Sequence, residues 1–377
     1  MKIKRWLFGF VASAVLAMML PASTGAAKNG PNIVTFDVPA VGGLPAAGTN
    51  TGEGTFAAGI IQGNWIFGWY TDGNDVNHGF LRAPWGQFST FDPPGSINTQ
   101  AWGMNDNLVI TGVFVDANGE NHGFVRTPDG NITTFDAPGL GVVTQYRVHT
   151  FGCSINNAGV ISGIFRDEDR AWHGIVRTPD GHITKYDVPG EGTTGPGEGV
   201  HFCDVPQGIN QAGAISGVYV DDNYLQHSYI RYRDGSITTF DPPNSYPSSD
   251  AGGINPEGEV EGYYIDDTIG AVHGFVRTPG GRFEEFDAPG AWLDPDRVGG
   301  TFPSSINSAG DVVGSVVKDA SGQAHGFVRS QNGKFKMFDP PGSTYTVPYN
   351  STPAGVVTGY FYDAGGVVHG FMMANEK

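Results

Sequence analysis

One stretch, His122–Gly139, reading HGFVRTPDGNITTFDAPG, recurs along the whole chain and constrains the fold more than any other feature. Edited copies start at His78, His173, His227, His273 and His325, and a copy ending shortly after HGFMM starts at His369. The complementary half, IVTFDVP, stands at Ile33–Pro39 with no His-Gly-Phe before it. The two halves are therefore out of phase by half a unit. Successive repeat histidines lie 44, 51, 54, 46, 52 and 44 residues apart. Periods of this length mark arrays, and four strands per unit fit the propeller class.

One unit reads strand by strand from Gln145. The first strand ends near Ile155–Asn156, and Asn157-Ala158-Gly159 turns into a second strand, Val160–Asp167. His173–Arg177 is the third strand, Pro179-Asp180-Gly181 a turn, and Ile183–Asp187 the fourth. Apolar residues on both faces, such as Val160, Ile161, Ile164 and Phe165, suit a sheet covered on both sides. The pattern predicts an all-β, seven-bladed β-propeller of four-stranded antiparallel blades. Its ring closes when N-terminal strand 33–39 pairs with C-terminal strand 369–373, which removes the exposed edges of an open stack. An open solenoid is the alternative. A Gly sits inside every second strand, from Gly68 to Gly359, and is expected to make room for an aromatic ring of the neighbouring blade.

Residues 1–27 read as a signal peptide. Lys2, Lys4 and Arg5 precede an apolar run, Trp6–Leu20, and small residues lead to cleavage near Ala26/Ala27. Fifteen apolar residues fall short of the roughly 20 that a membrane span needs; an uncleaved anchor is the alternative. Residues 28–377 then form one domain in the periplasm or medium, off the membrane once cleaved. Loss of three positive charges takes the net charge from −17 to −20, which excludes nucleic acid as a partner.

Each unit carries Asp six residues before its His and Asp fourteen after it. The first three sets are Asp72, His78, Asp92; Asp116, His122, Asp136; and Asp167, His173, Asp187. The sixth-before residue is Asp267 in the fifth unit and Asp319 in the sixth, and Asp37 serves His369 from the other end of the chain. Hairpin pairing places the three side chains in one cross-strand row. Catalysis does not need seven copies of one site, so the row reads as a structural tie in which the carboxylates raise the imidazole pKa. The recurring Arg at His+4, as in Arg126, reads likewise as a blade-edge ion pair. Acidic turn spacing at Asp116–Glu120 leaves a calcium reading open.

Function should sit where the copies differ, in the segments from the fourth strand of one unit to the first of the next. Candidate ligand-binding residues there are Tyr146, Arg147, His149, Glu198, His201, Asp204, Trp292, Asp294, Asp296 and Arg297, with Tyr345 and Tyr349 beside them. Cys153 and Cys203, the only cysteines, fall at corresponding ends of adjacent first strands and are expected to form a disulfide. With His149 and His201 nearby, a zinc site is the alternative. No nucleophile elbow, phosphate-cradling loop or HExxH occurs, and no catalytic residue, metal or cofactor is assigned.

The unit GINxxGxxxGxxxD…HGFVRxPDGxxTTFD resembles the extracellular HAF-type repeat family of bacterial exported proteins, over residues 32–377. The resemblance implies export and repeated β structure, without an activity. The combined expectation is a monomeric exported scaffold whose variable loops bind an extracellular protein, glycan or small molecule. The rival is a lyase or hydrolase acting on carbohydrate or another small compound at the channel mouth. Converging unlike polar groups would favour the enzyme; an aromatic-rich surface would favour binding.

Overall fold

A computed structural model describes residues 32–138, 149–167, 170–192, 198–201, 208–293 and 299–374. Among them the regular structure is all strand. β1 (Asn32–Phe36) comes first. β2 (Gly54–Ile60), β3 (Ile66–Thr71), β4 (Asn77–Arg82) and β5 (Phe88–Phe91) form one antiparallel group, and β6 (Ser96–Met104), β7 (Ile110–Asp116), β8 (Asn121–Arg126) and β9 (Ile132–Phe135) the next. β10 (His149–Ile155), β11 (Ile161–Arg166), β12 (Trp172–Arg177) and β13 (Ile183–Tyr186) repeat the order. So do β14 (Gly199–His201), β15 (Ile215–Val220), β16 (Gln226–Arg231) and β17 (Ile237–Phe240). β18 (Ser245–Ile254), β19 (Val260–Asp266), β20 (Val272–Arg277) and β21 (Phe283–Phe286) follow, then β22 (Gly300–Ile306), β23 (Val312–Val317), β24 (Ala324–Arg329) and β25 (Phe335–Phe338). The last group is β26 (Tyr345–Ser351), β27 (Val357–Tyr362) and β28 (Val368–Ala374), against which β1 pairs antiparallel with Ile33 opposite Met373 and Phe36 opposite Gly370. The early strand is shorter than residues 33–39, but its partner and register are those expected.

Turn chemistry sets these boundaries. At the β8–β9 turn, Gly130 adopts a φ of 91°, Thr127 N donates to Asn131 O, and Asp129 accepts the Thr127 hydroxyl at 2.5 Å. First strands begin inside the segments that the sequence marks as variable loop: His149 opens β10, and Tyr345 and Tyr349 lie in β26. Irregular composition there reflects a β-bulge in the strand rather than a loop. Register jumps after Ala57, Ala101, Gly152, Ala251, Pro303 and Pro348, each opposite the second-strand glycine.

The bulge explains that glycine. A Cβ on Gly163 would lie 2.1 Å from Phe151 O, and one on Gly68 2.0 Å from Phe56 O. In six of the seven the room is taken by a carbonyl of the same group, not by a neighbour's aromatic ring, because the bulge tips the carbonyl over the glycine; Gly217 instead faces the Tyr229 ring of its own group. The aromatic cover belongs to another glycine. In His-Gly-Phe, Gly79 lies under the Phe91 ring and Gly123 under Phe135, where a methyl group would approach ring atoms to 2.5 and 2.4 Å.

Contacts between groups repeat as faithfully as those within them. Arg126 stacks over Phe91 of the preceding group, Arg177 over Phe135, Arg231 over Tyr186, Arg277 over Phe240 and Arg329 over Phe286, at 4.6–5.0 Å. The arginine row is thus a cation–π tie between groups; of the ion pairs expected there, Arg329–Glu284 is found. Arg82 of the first group makes the same contact with Phe36 of β1 at 4.7 Å.

The repeat Asn forms a second tie. Asn156 Oδ1 accepts Ala158 N and Val160 N within its own turn, while its Nδ2 donates to Asn210 O of the next group at 3.2 Å. Asn105, Asn210, Asn255 and Asn307 reach forward the same way, to Asn156, Asn255, Asn307 and Thr352. All five are buried. Replacing Asn156 with Ala strands buried backbone groups on both sides, so a loss of about 3 kcal/mol is expected from denaturant midpoints. Asn156→Thr should cost less, because Thr352 shows that a hydroxyl accepts the turn N–H of Val356.

Candidate functional site

The His–Asp rows are present. His Nδ1 meets the Asp fourteen residues on at 2.7 Å for His78–Asp92, 2.8 Å for His122–Asp136 and 2.6 Å for His173–Asp187, and at 3.0 Å for His369–Asp37. Nε2 faces the earlier Asp at 3.7, 3.8 and 3.1 Å for Asp72, Asp116 and Asp167. The hairpins are centred earlier than the sequence suggested, so a residue other than Asp stands directly opposite His, an aromatic in six copies and Val316 opposite His325. His122 stacks on Phe114 with ring centroids 5.1 Å apart, and His173 on Phe165 at 4.9 Å. The displaced Asp caps its own turn: Asp116 Oδ1 accepts Asn118 N and Glu120 N. In the fifth copy one extra residue passes this role to Asp266, whose carboxylate accepts Thr268 N and Ile269 N, and not to Asp267. His325 keeps Asp339 at 2.8 Å, with no ion pair to Asp319 within 4 Å.

Burial works to lower the His173 pKa, but hydrogen bonds and charge from Asp187 and Asp167 outweigh it and hold the ring above its ordinary value. The Asp287 hydrogen bond does the same for His273, against burial. Both ring nitrogens of His173 are engaged and its face is stacked, which makes the row a tie between strands. Asp116, Glu120 and His122 offer ligand atoms within 4.8 Å of one another, though Asp116 Oδ1 is already spent on two backbone amides.

Two carboxyls depart from the repeat. Glu191 sits beside the His173–Asp187 pair, its ligand atom within 4.8 Å of theirs, and Oε2 accepts Val188 N at 2.8 Å. It is buried, and that burial, with Asp187 adding to it, raises its pKa to about 8. Glu261 on β19 is fully buried, accepts Gly253 N at 2.6 Å and occupies the space a Gly252 side chain would fill. Burial, with Asp250 nearby, raises it to about 8 as well. Both are protonated acids at neutral pH. Glu191 lies in the connection after β13, its Oε1 buried without a partner; Glu261 is sealed in and caps a bulge two residues wide.

A run of rings is the largest feature that departs from the repeat. Trp102 stacks on Trp69 at 5.8 Å, Trp69 on Phe56 at 5.3 Å, and Phe56 meets Tyr360 edge-on at 5.2 Å. Tyr349 and Tyr362 extend it from Tyr360 at 6.2 and 6.1 Å, and Tyr345 joins Tyr362 at 6.0 Å. All seven rings are half-buried. Trp102 and Tyr349 are the bulged residues of β6 and β26, where the register jump re-aims a side chain. Trp69 and Tyr360 directly follow the second-strand glycine, where the other copies carry Val113, Ile164, Val218, Tyr263 and Ser315. Burial raises the Tyr345 and Tyr362 hydroxyls, which stay neutral. The buried Trp102 indole N–H has no acceptor. Sequence analysis singled out Tyr345 and Tyr349 and missed the other five. The available signal was an aromatic at a repeat position that is aliphatic in three other copies, a signal shared with Tyr263.

Among the loop candidates, His149 and Glu198 are brought together around Trp172. The His149 ring lies 6.2 Å from the Trp172 ring, and Trp172 N donates to Glu198 O at 3.0 Å. Glu198 is buried, and His149 Nδ1 is hydrogen-bonded to the Asn121 amide. Trp292 stands apart, its N–H donated to Val317 O. His201 pairs with Val218 through the backbone. Tyr146, Arg147, Asp204, Asp294, Asp296, Arg297 and Cys203 lie outside the described residues. Cys153 is buried and is not a free thiol.

No family model and no curated protein matches the chain. Solved structures do. A streptogramin B lyase superposes with a TM-score of 0.58 at 15% identity, over 91% of this chain and 97% of its own. The virginiamycin B lyase of Staphylococcus aureus, a β-propeller, gives 0.55 at 15% over 91% and 100%. The BP39L lectin of Burkholderia pseudomallei gives 0.53 at 11% over 85% and 94%. At these identities the likeness concerns the fold alone: the chain is built on a β-propeller scaffold.

Proposed function

We propose that this chain is an exported, monomeric seven-bladed β-propeller of the HAF-repeat type that acts as a binding scaffold. In this reading β1 closes the ring by completing the blade of β26–β28. Two observations support closure. Val368 contacts Gly54 in the same parallel step that joins Val272 to Gly300, and Arg82 stacks on Phe36 as the other arginines stack on their predecessors. Export rests on residues 1–27, which lie outside the described residues. No helix among those described is long and apolar enough to cross a membrane. A Cys153–Cys203 bridge would then pin adjacent blades.

The observation that carries the binding reading is the half-buried aromatic run from Trp102 to Tyr345. A run of half-buried rings, packed on one another and fixed on strands, suits a ligand with flat apolar faces of its own, such as a glycan or an aromatic small molecule. A saturating ligand should raise the melting temperature by several degrees at about a hundredfold excess over Kd. Purified protein scanned against glycan and small-molecule panels by thermal shift tests this. Trp102→Ala and Tyr360→Ala should abolish the shift without unfolding the protein; a panel with no shift, or one these variants leave untouched, removes the reading. The enzyme reading draws on one observation, the buried Glu191 carboxyl beside His173 and Asp187. It replaces the first if panel compounds are converted and Glu191→Gln stops the conversion.

A further inference from the structure

The end of the molecule opposite the variable loops carries a groove that the binding reading does not use. It has a volume of about 270 Å³, near the lower bound of roughly 300 Å³ for small-molecule sites. Four turns converge on it: those joining β2 to β3, β4 to β5, β6 to β7 and β8 to β9. Trp65 and Trp85 form one corner, their rings 5.3 Å apart and 75° from parallel. Trp85 is 71% exposed, the most exposed large apolar side chain among the described residues.

Both tryptophans and a third wall depart from the repeat. Trp85 stands where other copies place Asp129, Asp180 or Asp234, each of which caps its own turn. The substitution removes a cap and puts an indole in solvent. Leu108 holds a φ of 60°, where five other copies use glycine: Gly159, Gly213, Gly258, Gly310 and Gly355. A bulky residue in the left-handed region is strained, and such strain concentrates where a surface has work to do. Here it places a Leu side chain in the wall of the groove.

The chemistry of the lining narrows the occupant. In a chain with 38 acidic residues, none of the described lining residues is acidic, so the groove does not suit a cation. Gln87 accepts the Trp85 indole N–H at 3.3 Å, which leaves its own amide N–H groups to donate. Ser89 and Arg126 supply further polar atoms to the same lining. A broad indole face beside donors and acceptors matches a pyranose ring, which offers axial C–H groups on one face and hydroxyls around its rim. We infer that this groove is a carbohydrate subsite, taking one pyranose unit of a glycan against Trp85, with a lining that shares no residue with the aromatic run.

The test uses the purified chain and two probe sets, neutral cello-, xylo- and manno-oligosaccharides and an oligogalacturonate, read by tryptophan fluorescence and calorimetry. Saturable binding is expected, with Trp85→Ala weakening it at least about tenfold and Trp85→Phe retaining most of it. Leu108→Gly should raise the melting temperature by relieving the backbone while weakening binding. A preference for the uronate set would assign Arg126 to the sugar carboxylate. Trp102→Ala and Tyr360→Ala should leave this binding intact, which separates its failure from that of the first site. No binding in either set, or binding indifferent to Trp85→Ala, overturns the proposal. So does a dimer that Trp85→Ala converts to monomer, since the groove would then be a contact between copies.

Discussion

Stability is expected to fall as the pH rises from about 5 to about 8, by several kcal/mol, because the native state holds protons that the unfolded chain has released. Glu261 contributes most. In the unfolded chain it ionises near 4.5, whereas the folded protein keeps it protonated to about 8. Across that window the fold binds a proton the unfolded chain lacks, so stability declines with pH and the penalty is complete above about 8. For a fully buried carboxyl this amounts to on the order of 4 kcal/mol. Glu191 acts with the same sign over the same window. His173 and His273 add to it: their folded pKa is raised, so their contribution is whole below about 6.5 and lost as pH climbs through the raised value. At the acid end the sign reverses. Amide hydrogen bonds, from Glu120 N to Asp116 and from Ile269 N to Asp266, hold these carboxyls below the usual range, and their contribution disappears as pH falls through the folded value. The optimum should therefore be mildly acidic. Thermal melts across the range read it directly, and Glu261→Gln, which keeps an acceptor for Gly253 N, should remove much of the alkaline decline. Stability that instead grows toward pH 8, or an unaltered slope in Glu261→Gln, contradicts the assignment.

What repeats was legible in the sequence, and what occurs once was not. Spacing alone placed His122 beside Asp136 and Ile33–Pro39 beside His369–Met373, of which Ile33–Phe36 pairs, because hairpin register follows from turn position. It misjudged Asp116 by one residue, since a hairpin centred at 118 and one centred at 119 differ only in turn type. It misassigned Arg126, whose partner Phe91 belongs to the preceding group; arithmetic within one repeat does not see across groups. Bulges hid the first strands inside apparent loops and with them the aromatic run, because a bulge adds a residue without a compositional mark. Glu261 was invisible for a different reason. A Glu on an apolar strand reads as solvent-facing, and the Gly252–Gly253 pair that makes room for it lies on another strand. The loop-rim candidates followed the rule that function sits where copies differ. His149 and Glu198 both lie against Trp172, Glu198 through its backbone, yet other departures from the repeat lie on strands and on the turns at the other end.

Gly163→Val should prevent folding or cost more than about 4 kcal/mol, the range reserved for a named structural violation. Its backbone is ordinary extended strand, so the objection is space, not conformation. A Cβ there would lie 2.1 Å from Phe151 O and 3.1–3.2 Å from the Ile175 side chain. Ile175 can shift by a few tenths of an ångström. Phe151 O cannot, because it belongs to the strand pair whose register is reset at Gly152, and moving it opens the ladder beside the bulge. The two γ-methyls of Val then meet an already filled core of Ile161, Phe165 and Ile175. The same carbonyl approach recurs at 2.0 Å for Gly112 and Gly359 and at 2.3 Å for Gly314, so each should fail alike. Gly73 supplies the contrast: nothing lies within 4 Å of its Cβ position and its φ is not left-handed, so Gly73→Ala should be neutral or stabilising by about 0.5 kcal/mol. Soluble yield, circular dichroism and melting temperature of the two variants decide it. A Gly163→Val protein that folds and melts with the wild type would mean that the bulged carbonyl does not crowd this glycine, and the account of why six of the seven second strands carry one would fall with it.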